Sequence, residues 1–303
     1  MGRDGEPLID WLYAGDHPSF SNTFEATLTD YLQLPFNLLF GRQTSVADLC
    51  RVADAEPGLE PSGLIFHCSR SGSLHLNRVL TRSNDTVVLY EVSPIDSLLR
   101  AKRFNSSITD EQRIKWIRSL LSSLTRSQSK NNRLFIVFHS WSIFESRIIR
   151  AAFPNARWMF VYGDPLEELV EQLGQRDAHM IPGLIDSRVF GLDPDEVQKM
   201  QPADYCARVL KATYEAALAL TDDHGLFLNI SQGQDCFEAI STLFGVDSTE
   251  LQPNNDSERG VESIAIKRAS SSIHEAAQTW VYPVYNAIEQ SRLSRPLTET
   301  LCL

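Results

Sequence analysis

Gly63-Leu64-Ile65-Phe66-His67-Cys68-Ser69-Arg70-Ser71-Gly72-Ser73-Leu74-His75-Leu76 is the stretch on which the fold turns. The apolar run Leu64 to Cys68 predicts a buried strand, and Leu76, Val79 and Leu80 follow at helical spacing. Between them lies a small polar turn containing Gly72. A strand that ends in such a turn ahead of a helix aims successive backbone N–H groups, and the positive end of the helix, at one point. That point attracts an anion such as phosphate or sulfate, and Arg70 adds a permanent cation with forked donors. The same pattern also describes a plain strand–turn–helix joint whose serines cap the helix.

The chain has 303 residues, of which 43% are hydrophobic and 22% charged. That suits one large or two ordinary globular domains. A net charge of −11 argues against nucleic acid or an acidic membrane as the main partner. It leaves room for a local basic pocket. Cys50, Cys68, Cys206, Cys236 and Cys302 are scattered and form no C-x-x-C pair. Neither a disulfide framework nor a zinc knuckle is expected, and no metal site. Met1 to Pro7 lack the apolar core of a signal peptide. No apolar run approaches the roughly 20 residues of a membrane span. The expectation is a reduced, cytoplasmic protein acting on a small molecule, with an oligomer left open because no heptad or swapped-strand pattern stands out.

Residues 1–62 read as an N-terminal arm and helices packed on a core that runs from 63 to 303. Residues 1–20 suggest an irregular arm, and residues 21–55 one or two helices broken at Pro35. Strands are predicted at Leu64 to Cys68, Thr86 to Tyr90, Leu134 to Phe138, Arg157 to Tyr162 and Leu226 to Ile230. Helices alternate with them, at Pro94–Lys102, Asp110–Thr125, Phe144–Phe153, from Pro165 onward, Ala203–Leu220, Asp235–Phe244 and Ser272–Gln290. The turn formers of 176–203 suggest a surface excursion or lid, and Asp247 to Glu262 a mobile segment. Near-continuous apolar strands alternating with helices indicate an α/β domain with a mostly parallel five-stranded sheet. Ligands of such sheets bind beyond the carboxyl ends of the strands. Here those ends carry Cys68–Ser73, Glu91, His139–Trp141, Gly163-Asp164 and Ser231.

With these ends side by side, the chain resembles the P-loop sulfotransferase-like family, in its bacterial and fungal subgroup, from about Leu64 to the last helix. Phe66 to Ser73 is similar to that family's 5′-phosphosulfate loop, Leu89 to Asp96 to its second strand, and Ala152 to Tyr162 to the run into its 3′-phosphate site. The resemblance implies a three-layer fold and, as donor, 3′-phosphoadenosine 5′-phosphosulfate bound without metal. Nucleoside triphosphates fit poorly, because the turn lacks a Gly-Lys-Ser/Thr ending.

The departures are specific. The family's Arg-Asp-Pro, whose arginine grips the 3′-phosphate, is here Gly163-Asp164-Pro165, and the serine eight positions later is Glu171. The second hydroxyl residue after Gly-Ser is Leu74, followed by His75, and the third-strand lysine is Val137. Losing one charge-assisted contact costs on the order of 1.5–3 kcal/mol, and a nearby like charge adds to that. Arg147, Arg150 or Arg157 could supply the missing cation from elsewhere.

Ser69, Arg70, Ser71, Gly72 and Ser73 keep the anion-binding half of the site. Glu91, His139 and His75 are then candidates for general acid–base work, with Arg70 stabilising a developing oxyanion. Each histidine also has a structural reading, His67 is assigned to the core, and so are Trp141 and the Trp280/Tyr282/Tyr285 group. Three functions follow. The first is a repurposed enzyme that needs no cofactor and carries out cyclisation, elimination or isomerisation on an apolar metabolite, with specialised metabolism as its natural setting. The second is a sulfotransferase with a displaced donor contact, in which Glu91 or His139 deprotonates the acceptor. The third is a non-catalytic binding protein.

Overall fold

The computed structural model describes residues 5–15, 23–83, 85–126, 132–220, 224–232, 235–246 and 270–294. The expected mobile segment, Asp247 to Glu262, lies outside them.

From the N-terminus, β1 (Leu8–Trp11), α1 (Phe24–Leu32), α2 (Pro35–Leu39), β2 (Arg42–Ser45) and α3 (Val46–Ala55) precede the sheet. Then come β3 (Gly63–His67), α4 (Arg70–Leu80), β4 (Thr86–Tyr90), α5 (Ser93–Leu99), α6 (Ala101–Phe104), α7 (Asp110–Thr125), β5 (Arg133–Val137), α8 (Ser146–Ala152) and β6 (Arg157–Tyr162). The chain continues through α9 (Pro165–Gly174), α10 (Pro194–Val197), α11 (Pro202–Leu218), β7 (Gly225–Asn229) and α12 (Asp235–Phe244). The last described elements are Ser271–Ala276 and Tyr282–Ser294, joined through a π-helical turn at Ala277–Val281.

The sheet order is β4-β5-β3-β6-β7. Within it β3 and β4 each run parallel to β5, and β6 runs parallel to β7. All five predicted strands form within a residue of their expected limits. Their continuous apolar runs are the mark of strands covered on both faces. The arm expectation fails over a short stretch. Leu8–Trp11 is a strand, paired antiparallel with Arg42–Ser45 and fastened where Trp11 Nε1 donates to Thr44 Oγ1 at 2.8 Å. A four-residue strand whose partner is 33 residues away leaves no local periodicity to read.

The chain divides into two compact units, residues 1–65 with 75–157 and residues 66–74 with 158–303. In the first, α3 and α5 pack on α7, and α7 packs on α8. The starts of α3 and α7 are fixed by reciprocal capping boxes, Ser45 with Asp48 and Thr109 with Gln112, which satisfy the orphan amides of each first turn. In the second, α9, α11 and the C-terminal helix pack together. The segment 176–203 carries two 3-10 turns, Ala178–Met180 and Ser187–Phe190, then α10 and the first residues of α11, with His179, Met180 and Phe190 buried. Tyr205 Oη donates to the His179 carbonyl at 3.2 Å and holds it to α11.

The core of the second unit is aromatic. Trp158, Phe160, Tyr162, Tyr214 and Phe227 meet largely edge to face, at centroid distances of 5.7–6.3 Å for the four such pairs. Gly225 makes this packing possible, since a Cβ there would stand 2.0 Å from the Trp158 ring. Gly225→Ala is therefore expected to destabilise the protein by about 1–3 kcal/mol, read from urea unfolding followed by tryptophan fluorescence. No helix among the described residues is long and apolar enough to cross a membrane.

Candidate functional site

The loop after β3 is tight. Only Cys68 and Ser69 separate β3 from α4, whose first residue is Arg70. Ser69 is buried, and its Oγ accepts from Gly72 N at 3.1 Å. The Ser73 amide donates to the Ser69 carbonyl at 3.1 Å, and Ser73 Oγ donates to the Arg70 carbonyl at 3.0 Å. The capping geometry that sequence also allows is thus present, with Gly72 N engaged by Ser69. A Cβ on Gly72 would lie 2.7 Å from Ile230 Cδ1 and 3.1 Å from Ser69 Oγ, so the Ile230 side chain packs directly against the loop. Arg70 is ion-paired with Asp177. Asp177 in turn accepts from Gln172 Nε2 at 2.8 Å and donates its own N–H to Gln172 Oε1. Burial pushes the Asp177 carboxyl upward, but Gln172, His179 and Arg70 together outweigh it and hold the group below the usual range. The ion pair is therefore charged at neutral pH.

The end of β6 carries the second group. Asp164 caps α9 by accepting from Leu166 N at 2.9 Å and Glu167 N at 3.3 Å, with Pro165 in the first turn where its missing N–H costs nothing. Gly163 is buried beside the Glu168 carboxylate, since a Cβ built on it would stand 2.7 Å from Glu168 Oε1. Glu168 itself is only 2% exposed. Burial, followed by the charges of Glu168 and Glu171, pushes the Cys68 thiol well above its ordinary range. The Glu168 side chain thus shares the neighbourhood of Cys68 and Gly163.

The remaining candidates lie in the first unit. Glu91 follows β4 and His139 follows β5, and their registers bring them together: Tyr90 is opposite Val137, and Glu91 N donates to the Val137 carbonyl at 2.8 Å. His139 Nδ1 lies 3.7 Å from Glu91 Oε2, both side chains about a third exposed. Glu91 has φ +49°, the single non-glycine residue with positive φ among those described. Such a conformation costs on the order of 1–3 kcal/mol and gathers at functional positions. Beside His139 a recess is lined by Val92, Ile95, Asp96, Phe138 and Ser142. His75 is exposed on α4. Of the possible substitute cations, Arg147 pairs with Asp110, and Arg150 donates to the carbonyls of Phe153, Pro154 and Ala156.

Asp177, Glu168 and Ile230 were missed in the sequence. Arg70 and Asp177 are 107 residues apart, and nothing local relates them. Glu168, five positions past Gly163 in an acidic helix start, reads as a solvated face until the fold turns it inward.

The chain has a sulfotransferase-like fold. It superposes on a sulfotransferase from Alicyclobacillus acidocaldarius with a TM-score of 0.51 at 13% identity, covering 80% of this chain and 99% of that one. A sulfotransferase from Mycobacterium avium gives 0.46 at 9% identity, over 81% of each chain. The sulfotransferase domain of an olefin synthase from Synechococcus gives 0.41 at 12% identity, over 75% of this chain and 96% of that one. No protein-family model matches the chain, and no curated protein matches it.

Proposed function

We propose that the protein is an enzyme on a sulfotransferase scaffold that does not transfer sulfate and instead performs acid–base chemistry on an apolar metabolite. The observation that carries this reading is the Glu91–His139 pair, a carboxylate 3.7 Å from an imidazole nitrogen at adjoining strand ends, held on strained backbone. At that separation Glu91 stabilises the imidazolium that forms when His139 takes a proton from a substrate C–H or O–H. The imidazolium, about a third exposed, exchanges with solvent and then gives a proton to another substrate atom, so cyclisation, elimination or isomerisation proceeds without net redox change. His139 is the base and acid, and Glu91 its charge partner. Arg70, satisfied by Asp177, is left to the architecture of the loop.

The residues present do not fit the 3′-phosphate of 3′-phosphoadenosine 5′-phosphosulfate. Glycine stands where a cation is needed, and the adjoining space holds the buried Glu168 carboxylate. Ile230 leans on Gly72, and Arg70 is neutralised. A polyanion brought here meets acidic side chains and donors already engaged within the protein. No step is therefore routed through that donor.

Two measurements test the proposal. Calorimetry with adenosine 3′,5′-bisphosphate is expected to give no heat up to about millimolar ligand, whereas micromolar affinity would install ordinary sulfate transfer in its place. Incubation with a metabolite extract of the host in D2O is expected to place solvent deuterium in one apolar product. His139→Gln should abolish that mass shift. If the shift persists undiminished in the variant, His139 is not the proton carrier.

A further inference from the structure

We infer that the recess beside His139 takes the hydroxyl group of an apolar alcohol, held between Asp96 Oδ1 and Ser142 Oγ. This deepens the acid–base reading and rests on it for placing the substrate at His139. Asp96 and Ser142 line the recess together with His139, on a wall otherwise made by Val92, Ile95 and Phe138. Asp96 is 8% exposed and Ser142 1%. Asp96 Oδ2 is ion-paired with Arg100, while Oδ1 is buried and has no hydrogen-bond partner among the described residues. Ser142 N donates to the His139 carbonyl at 2.8 Å, but Ser142 Oγ bonds to no group among the described residues. Buried polar atoms are nearly always paired, so two unpaired oxygens on one recess point to a ligand that pairs them.

The two oxygens also select its chemistry. A carboxylate oxygen can only accept, whereas a serine hydroxyl both donates and accepts. An alcohol O–H donates to Asp96 and its oxygen accepts from Ser142, which satisfies both at once. A ligand carboxylate or phosphate would bring like charge to Asp96 with no proton to give. An ether oxygen could accept from Ser142 alone. An ammonium could donate to both, but Arg100 already balances the charge of Asp96, and the imidazolium formed at His139 repels a second cation.

The acceptor is held in place before any ligand arrives. The Arg100 guanidinium carbon lies 5.6 Å from the centroid of the Trp141 ring, two residues after His139. Stacked there, it fixes the Asp96 carboxylate from the side away from Oδ1. The recess does not admit a water molecule as it stands. Its walls must part for a ligand, and the pairing of two otherwise unpaired oxygens favours that opening.

The test is a titration of the full chain, labelled with 15N-histidine, using cyclohexanol, cyclohexylamine, cyclohexanecarboxylate and methoxycyclohexane as probes. The His139 ring signals are assigned by their loss in His139→Gln. Cyclohexanol is expected to move them with saturation at about 1–10 mM, and the other three probes to bind at least tenfold more weakly. Ser142→Ala and Asp96→Ala should each weaken cyclohexanol binding at least tenfold. Should Asp96→Ala fail to fold because Arg100 loses its partner, Ser142→Ala, which removes a single oxygen, decides alone. No movement of the His139 signals up to about 100 mM cyclohexanol overturns the inference. So does equal or tighter binding of the ether or the amine, or an affinity unchanged in Ser142→Ala. Binding is read without turnover, so the two readings fail separately: solvent deuterium that enters product without His139 sinks the acid–base chemistry and leaves the alcohol site standing.

Discussion

Glu91→Gln is expected to lower kcat by roughly two to four orders of magnitude while leaving KM within a few-fold, since it removes a charge that matters only once His139 is protonated. The shape of the side chain is kept, so binding of an apolar substrate is not disturbed. Glu91→Gly tests the same residue from the other side. Its backbone sits at φ +49°, which glycine adopts without penalty. The variant should therefore be as inactive as the glutamine one yet about 0.5–1 kcal/mol more stable, the gain from relieved strain being partly offset by the freer unfolded chain. Opposite signs in activity and stability are the signature of strain kept for chemistry. A Glu91→Gly protein that is both less stable and fully active would mean that the conformation serves packing alone. The experiment needs turnover of the deuterium-labelled product and a urea titration on the same preparations.

What the sequence made legible follows from how far each feature reaches along the chain. The sheet was readable because β3, β5 and β6 are apolar without interruption, and a strand covered on both faces must be. Helix α7 falls on its predicted residues because its stop and start are local: Thr109 and Gln112 close a capping box, and Thr125 ends the apolar face. The fold's likeness to sulfotransferases was readable for the same reason, its marks being runs at strand ends. The site was readable only in part. Glu91 and His139 could be named, since they follow strands, and parallel pairing of β4 with β5 brings them together. The condition of the loop could not. Arg70 is the obvious cation of the turn, and only the fold reveals that Asp177 holds it. Likewise Gly163 is visible as an absence, while the carboxylate of Glu168 beside it depends on the inward face of α9. The N-terminal strand pair was hidden by its length.

Arg113→Met is expected to cost about 2–4 kcal/mol of stability, and activity with it, although Arg113 touches neither Glu91 nor His139. Its side chain is 6% exposed, and the guanidinium ties three elements together. It donates to the Leu99 carbonyl at 2.7 Å at the end of α5, to Asp110 Oδ1 at 2.7 Å in the first turn of α7, and to Glu145 Oε2 at 2.9 Å. Glu145 closes the 3-10 segment Ser140–Glu145 that begins directly after His139, and Ser142 N donates back to the His139 carbonyl at 2.8 Å. Removing the guanidinium strands the Glu145 carboxylate and the Leu99 carbonyl, leaves Asp110 to Arg147 and Lys102, and frees the turn that orients the imidazole. Partial hydration of Asp110 and Glu145 keeps the cost below that of a fully buried pair. Arg113→Lys, which keeps the charge and loses the fork, should cost about half as much. The pH dependence separates this from a simple packing loss. Hydrogen bonds from Arg113 and then Arg147 hold the Asp110 carboxyl well below its ordinary range. A carboxylate depressed in the folded state contributes stability that is full above its unfolded pKa and is lost as pH falls toward the folded one. The wild type should accordingly lose stability progressively below about pH 4, and Arg113→Met should flatten that limb while lowering the plateau at pH 7. Parallel curves, shifted down by a constant amount, would mean that Arg113 acts through its aliphatic packing and not through the charges it gathers.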